Sequence, residues 1–142
     1  MNTQFQIGEG NLGKNHKFGV RPNCGPTAVA NICGKTIDEV MKTFRRELKF
    51  GVAWQGRTSV KHCLKVFDVL GGKVAMEING RGSLKTFVKI YARPNKKYFV
   101  RVGGHFVAII NGIVYDQHEV GPIDNHWTSR KRVSHAYEIE KS

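Results

Sequence analysis

The chain is short of several things. Its 142 residues include only three cysteines, Cys24, Cys33 and Cys63. An odd number with no C-x-x-C pair argues against a disulfide framework and against a zinc knuckle, and points to a reduced, cytoplasmic setting. Acidic residues are scarce as well: 11 Asp and Glu face 23 Lys and Arg, a formal net charge of +12. Such an imbalance favours anionic partners: a nucleic acid, an acidic protein face or a membrane surface. No stretch approaches the roughly 18 apolar residues of a membrane-spanning helix, and Met1–Gly10 lacks the apolar run of a signal peptide. Internal repeats and low-complexity linkers are missing too. The expectation is one domain over 1–142, with 1–20 as a loop or loosely held arm.

The patterning divides the chain into helices first and strands after. Residues 24–33 read as a short apolar helix, with Pro26 in its first turn and Gly34 at its end. Thr36-x-x-Glu39 is a capping box signal, and Ile37, Val40, Met41, Phe44 and Leu48 continue at helical spacing over 37–49. A glycine-bounded loop, 51–58, holds Trp54 and Gln55. Thr58 or Ser59 then caps a third helix with Val60, Cys63, Leu64, Phe67 and Leu70 on one face. Strands follow at 73–78, 98–102, 105–110, after Asn111-Gly112, and at about 133–139. Residues 84–91 have the spacing of a short helix, with a strand as the alternative. Asn-Gly between apolar runs is a strong hairpin signal. The segregation indicates an α+β fold rather than an alternating parallel sheet.

The chemistry centres on "NCGPTAVAN", 23–31. A thiol at a helix start sits among free amide N–H groups and the positive end of the helix dipole, a field that favours thiolate. The same amides can receive a developing oxyanion. The thiol needs a proton acceptor, and among six histidines His105 is best placed, opening a strand behind Gly103-Gly104. A third group then has to orient the ring. If Ile110 opposes Ile113 across the Asn111-Gly112 turn, Asp116 faces Val107 and shares a sheet face with His105 on a diagonal that side chains can bridge. Cys33 and Cys63 lie on apolar helical faces and read as core. His118, His126 and His135 match no common zinc spacing, His16 and His62 read as exposed, and no metal or cofactor is called for. Trp54, Gln55 and Gly104 are candidates for the substrate cleft.

Asn23-Cys24-Gly25-Pro26-Thr27-Ala28, Gly104-His105-Phe106-Val107 and Val114-Tyr115-Asp116, in that order, resemble the papain-like cysteine peptidases. The likeness is to the compact branch that includes the bacteriocin-leader-processing peptidases and their small phage and bacterial relatives, and spans about 20–120. It implies a nucleophile helix packed on an antiparallel sheet, with Cys24 as nucleophile, His105 as general base, Asp116 as orienting residue, and a protein or peptide substrate. The same resemblance implies a phage or mobile-element origin and a cytoplasmic protein, the cytoplasm being the host's if the chain is phage-encoded. The C-G-[SA]-C-[WY] signature of papain itself is absent. The family's oxyanion-hole glutamine, shortly ahead of the cysteine, has no counterpart in Lys17-Phe18-Gly19-Val20. The second oxyanion donor is left among Asn23, Gln6 and Asn15. Two other functions use the same residues: acyl transfer of transglutaminase type, and a catalytically silent fold that binds an acidic protein or nucleic acid.

Overall fold

The computed structural model describes residues 24–51, 54, 57–79 and 82–141. The expected arm at 1–20, Gln6, Asn15, His16, Asn23 and Gln55 lie outside them. Among the described residues three helices precede the first strand: α1 (Cys24–Cys33), α2 (Ile37–Leu48) and α3 (Val60–Val69). Gly34, at φ +66°, ends α1 in the left-handed conformation that glycine adopts without a Cβ penalty. The capping box of α2 is complete: the Thr36 N–H donates to Glu39 Oε1 at 2.9 Å, and the Glu39 N–H donates to Thr36 Oγ1 at 3.2 Å. Lys49 closes that helix at φ 57°. Ser59, rather than Thr58, caps α3, and His62 fills the place usually held by Glu or Gln, its Nδ1 accepting the Ser59 N–H at 3.2 Å. His62 is therefore half-buried capping machinery, not the exposed side chain expected of it.

Six strands form one antiparallel sheet: β1 (Gly72–Glu77), β2 (Lys97–Val102), β3 (His105–Ile110), β4 (Ile113–Tyr115), β5 (Val120–Pro122) and β6 (Val133–Lys141), in the spatial order β1-β6-β2-β3-β4-β5. The fold is α+β, as expected, and the expected register holds: Ile110 opposes Ile113, Ile109 opposes Val114 and Ala108 opposes Tyr115. Asn111 (φ 52°) and Gly112 (φ 78°) make the turn, both left-handed, so its twist matches that of the strands. Gly103 and Gly104 (φ 51° and 80°) do the same between β2 and β3.

Alternation along β2 and β3 sends side chains to two cores. Phe99, Phe106 and Ala108 meet α1, α2 and α3 through Val29, Phe44 and Phe67. Phe67 packs edge-on against Phe99 at 5.2 Å, and Phe99 stacks on Phe106 at 5.0 Å. Tyr98, Val100, Val107 and Ile109 point the other way, where Leu84, Phe87 and Val88 cover them. That cover is a short helix, α4 (Leu84–Thr86), running on into a single π turn at Phe87–Tyr91, so the helical reading of 84–91 holds over its strand alternative. The region between β4 and β6, where the sequence announced no strand, holds β5 and a 3₁₀ turn at Ile123–Asn125. No described helix is long and apolar enough to cross a membrane.

Candidate active site

Cys24 is the first residue of α1, and α1 lies against β3, which opens with His105. Gly25 makes this approach feasible. A Cβ added there would stand 2.1 Å from Thr58 Oγ1 and 3.0 Å from Cys63 Sγ, so only glycine lets α3 and the loop before it close on the helix tip. Thr58 Oγ1 and Cys63 Sγ are themselves bonded at 3.2 Å. Trp54 holds this loop from outside. Its Nε1–H donates to the Arg57 carbonyl at 2.8 Å, and its ring stacks on Phe50 at 4.6 Å. The Trp54 ring also lies 5.5 Å from that of Phe44, so it packs into the helical layer; Gly104 is exposed in the turn that leads into His105.

The three residues singled out by the sequence come together. Cys24 and His105 share a hydrogen bond. His105 Nε2 stands 3.1 Å from Asp116 Oδ1, which leaves Nδ1 for the sulfur. Burial pushes the Cys24 thiol up, but the hydrogen bond with His105, the charge of that ring, and the amides of Phe106 and Gly25 outweigh it and hold the thiol below its ordinary value. Burial also works against a charged His105, yet the bonds to Asp116 and Cys24 raise the ring to about 9. Burial of Asp116 opposes its ionisation too, and the bonds from His105, the His118 amide and Trp127 keep its carboxyl below the ordinary range. Opposite charges and donors aimed at the charged form are what shift these groups. Both shifts run in the direction that favours a thiolate beside an imidazolium.

The other thiols have no such surroundings. Burial pushes Cys33 up to about 11 and Cys63 up to about 12. Cys63 is core, as expected; Cys33 is only half-buried, at the far end of α1.

Two residues at the site escaped the sequence reading. Trp127 Nε1–H donates to Asp116 Oδ2 at 2.6 Å, and its ring centre lies 5.1 Å from that of His105. The His126 ring is buried, with Nε2 3.6 Å from Asp116 Oδ2 and 3.1 Å from the Glu119 carbonyl oxygen. The Thr128 N–H donates to His126 Nδ1 at 3.2 Å, which assigns the ring proton to Nε2. Asp116 Oδ1 accepts the His118 N–H at 2.9 Å. The segment carrying these residues is pinned from outside: the Leu84 and Lys85 amides donate to the Lys131 and Ser129 carbonyls at 2.8 and 2.9 Å. Its one sequence signal was the pair His126-Trp127, polar-tipped rings in an otherwise polar loop.

Among the described residues no group of three or more His, Cys, Asp and Glu side chains is arranged to hold a metal ion. No protein-family model, curated protein or solved structure matches the chain.

Proposed function

We propose that the chain is a cysteine peptidase or amide hydrolase of papain-like type, working through Cys24, His105 and Asp116. The observation that carries this reading is the bonded line from Cys24 at the tip of α1, through His105, to the buried Asp116 carboxylate. A structural cysteine has no need of an imidazole backed by a carboxylate; a nucleophile does. The substrate is a protein or peptide, and the net charge of +12 favours an acidic one.

In the reaction, the Cys24 thiolate attacks the carbonyl carbon of the scissile amide and the electron pair of the C=O moves to oxygen. Free N–H groups at the start of α1 face that oxyanion; Asn23, Gln6 and Asn15 remain the candidates for a side-chain donor. His105 gives its proton to the leaving nitrogen as the C–N bond breaks, and a thioester remains. His105 then takes a proton from water, the hydroxide attacks the thioester carbon, and the C–S bond breaks to release the acid and restore the thiolate.

Intact-mass labelling with iodoacetamide near neutral pH tests the premise. One fast adduct on Cys24, with Cys33 and Cys63 unlabelled, is the expected result. A peptide library then yields cleavage products that vanish with Cys24→Ala. Equal labelling of the three thiols, or undiminished cleavage by Cys24→Ala, would end the reading.

A further inference from the structure

Resting on the peptidase reading, we propose that His126 and Trp127 are positioning residues that clamp the Asp116 carboxylate from the side opposite His105, holding it as a fixed, ionised acceptor. The stereochemistry divides the carboxylate in two. Oδ1 serves His105 Nε2 at 3.1 Å and the His118 amide at 2.9 Å. Among the described residues Oδ2 accepts the Trp127 indole N–H at 2.6 Å, and His126 Nε2, bonded to the Glu119 carbonyl at 3.1 Å, stands 3.6 Å from it. The side chains of Asp116 and His126 are both fully buried. A carboxylate out of reach of water ionises only if donors replace its hydration. The bonds to Oδ1 alone would leave the other oxygen bare and the group free to pivot about the bond to His118.

The clamp is itself braced. Thr128 fixes His126 through Nδ1, and the Glu119 carbonyl shares its Nε2–H. Because His126 Nε2 is shared and more distant, Trp127 is the stronger donor of the two. The charged and titratable groups around the carboxylate are few. His105 faces it from β3, with Cys24 behind it on α1. The His118 ring stacks 6.1 Å from that of His105. Lys131 Nζ lies 5.4 Å from the Trp127 ring. Arg101 Nη2 reaches the turn at Gly104, and Glu119 turns its carbonyl, not its exposed side chain, toward the site.

The experiment follows the Asp116 carboxyl carbon by NMR through an acid titration, in wild type, Trp127→Phe, His126→Gln and His126→Leu. Gln keeps an N–H donor where His126 Nε2 stands; Leu and Phe keep bulk and lose the donor. In wild type the carboxyl titrates below the ordinary range. It moves up in Trp127→Phe and in His126→Leu and stays near wild type in His126→Gln. The His105 Nε2 proton exchanges with solvent at least about tenfold faster in Trp127→Phe, the loss expected when one charge-assisted bond goes. A merely structural role would lower melting temperature without moving the titration. Identical carboxyl titrations in the four proteins would overturn the clamp. Should a variant fail to fold, wild type alone decides: the Trp127 indole N–H resonance must shift as Asp116 titrates, and a resonance that stays put overturns the clamp as well. Alkylation of Cys24 in the same wild-type sample keeps the two claims apart. Fast alkylation with an unmoved indole resonance sinks only the clamp, and slow alkylation sinks the peptidase reading beneath it.

Discussion

Replacing Gly25 by alanine sets two effects of opposite sign against each other. Gly25 sits in a helix with ordinary φ, where alanine would normally stabilise by about 0.5–1 kcal/mol. Here the new methyl arrives 2.1 Å from Thr58 Oγ1, roughly 1.3 Å inside ordinary contact. Thr58 cannot simply swing aside, because its hydroxyl is bonded to Cys63 Sγ and its β-branched side chain has few rotamers. Cys63 is fully buried and would itself stand 3.0 Å from the methyl. Overpacking of this kind costs about 1–3 kcal/mol, so crowding wins by about 1 kcal/mol at mid-range, a fall in melting temperature of about 3–5 °C for a chain of this size. The same displacement moves the α1 tip, and Cys24 with it, away from His105, so Cys24 alkylation near neutral pH slows. Calorimetry and timed iodoacetamide labelling read both quantities. Thr58→Ala removes the nearest atom, so the double variant recovers a large part of both losses. Gly25→Ala melting at or above wild type with undiminished labelling, or a double variant no better than the single one, would refute the packing account.

Cys24→Ser keeps the fold and loses turnover, because a serine hydroxyl in this site is far less acidic than the thiol; circular dichroism with a peptide-cleavage assay checks it. Asp116→Asn leaves His105 without a charged acceptor and lowers turnover by at least about tenfold, and the alkaline limb of activity moves to lower pH as the ring loses its support. In wild type that limb lies near the His105 value of about 9: below it the ring carries the proton that the leaving nitrogen needs, and above it the proton is gone, so a pH–rate profile still rising past that point contradicts the assignment. His62→Gln, which puts a usual capping-box residue in α3, leaves melting within about 0.5 kcal/mol of wild type, whereas Ser59→Ala destabilises by about 1 kcal/mol; urea denaturation distinguishes the two.

Local rules made much of this molecule readable. The α2 helix announced itself through Thr36, Glu39 and its apolar spacing, and the β3–β4 register followed from two residues, Asn111 and Gly112, whose left-handed backbone allows one tight turn. Because that turn sets which residues pair, it also placed Asp116 on the side of His105. Cys24 was legible because a helix start has unpaired amides whatever packs around it.

Other features depended on contacts between distant parts of the chain. Nothing near Val120 or Val74 in sequence states that β5 ends one edge of the sheet and β1 the other, or that 84–91 would cover its second face. His126 and Trp127 looked like scattered rings in a polar loop. They became partners of Asp116 only when the Leu84 and Lys85 amides fastened the 129–131 carbonyls and folded that loop back. Short-range order alone sufficed to single out Cys24, His105 and the hairpin that aligns Asp116, since each rests on hydrogen-bonding demands satisfied within a few residues. Whether that acid would be buried, and which donors would replace its water, was left to tertiary packing, because desolvation is a property of everything that surrounds a group rather than of its neighbours in the chain.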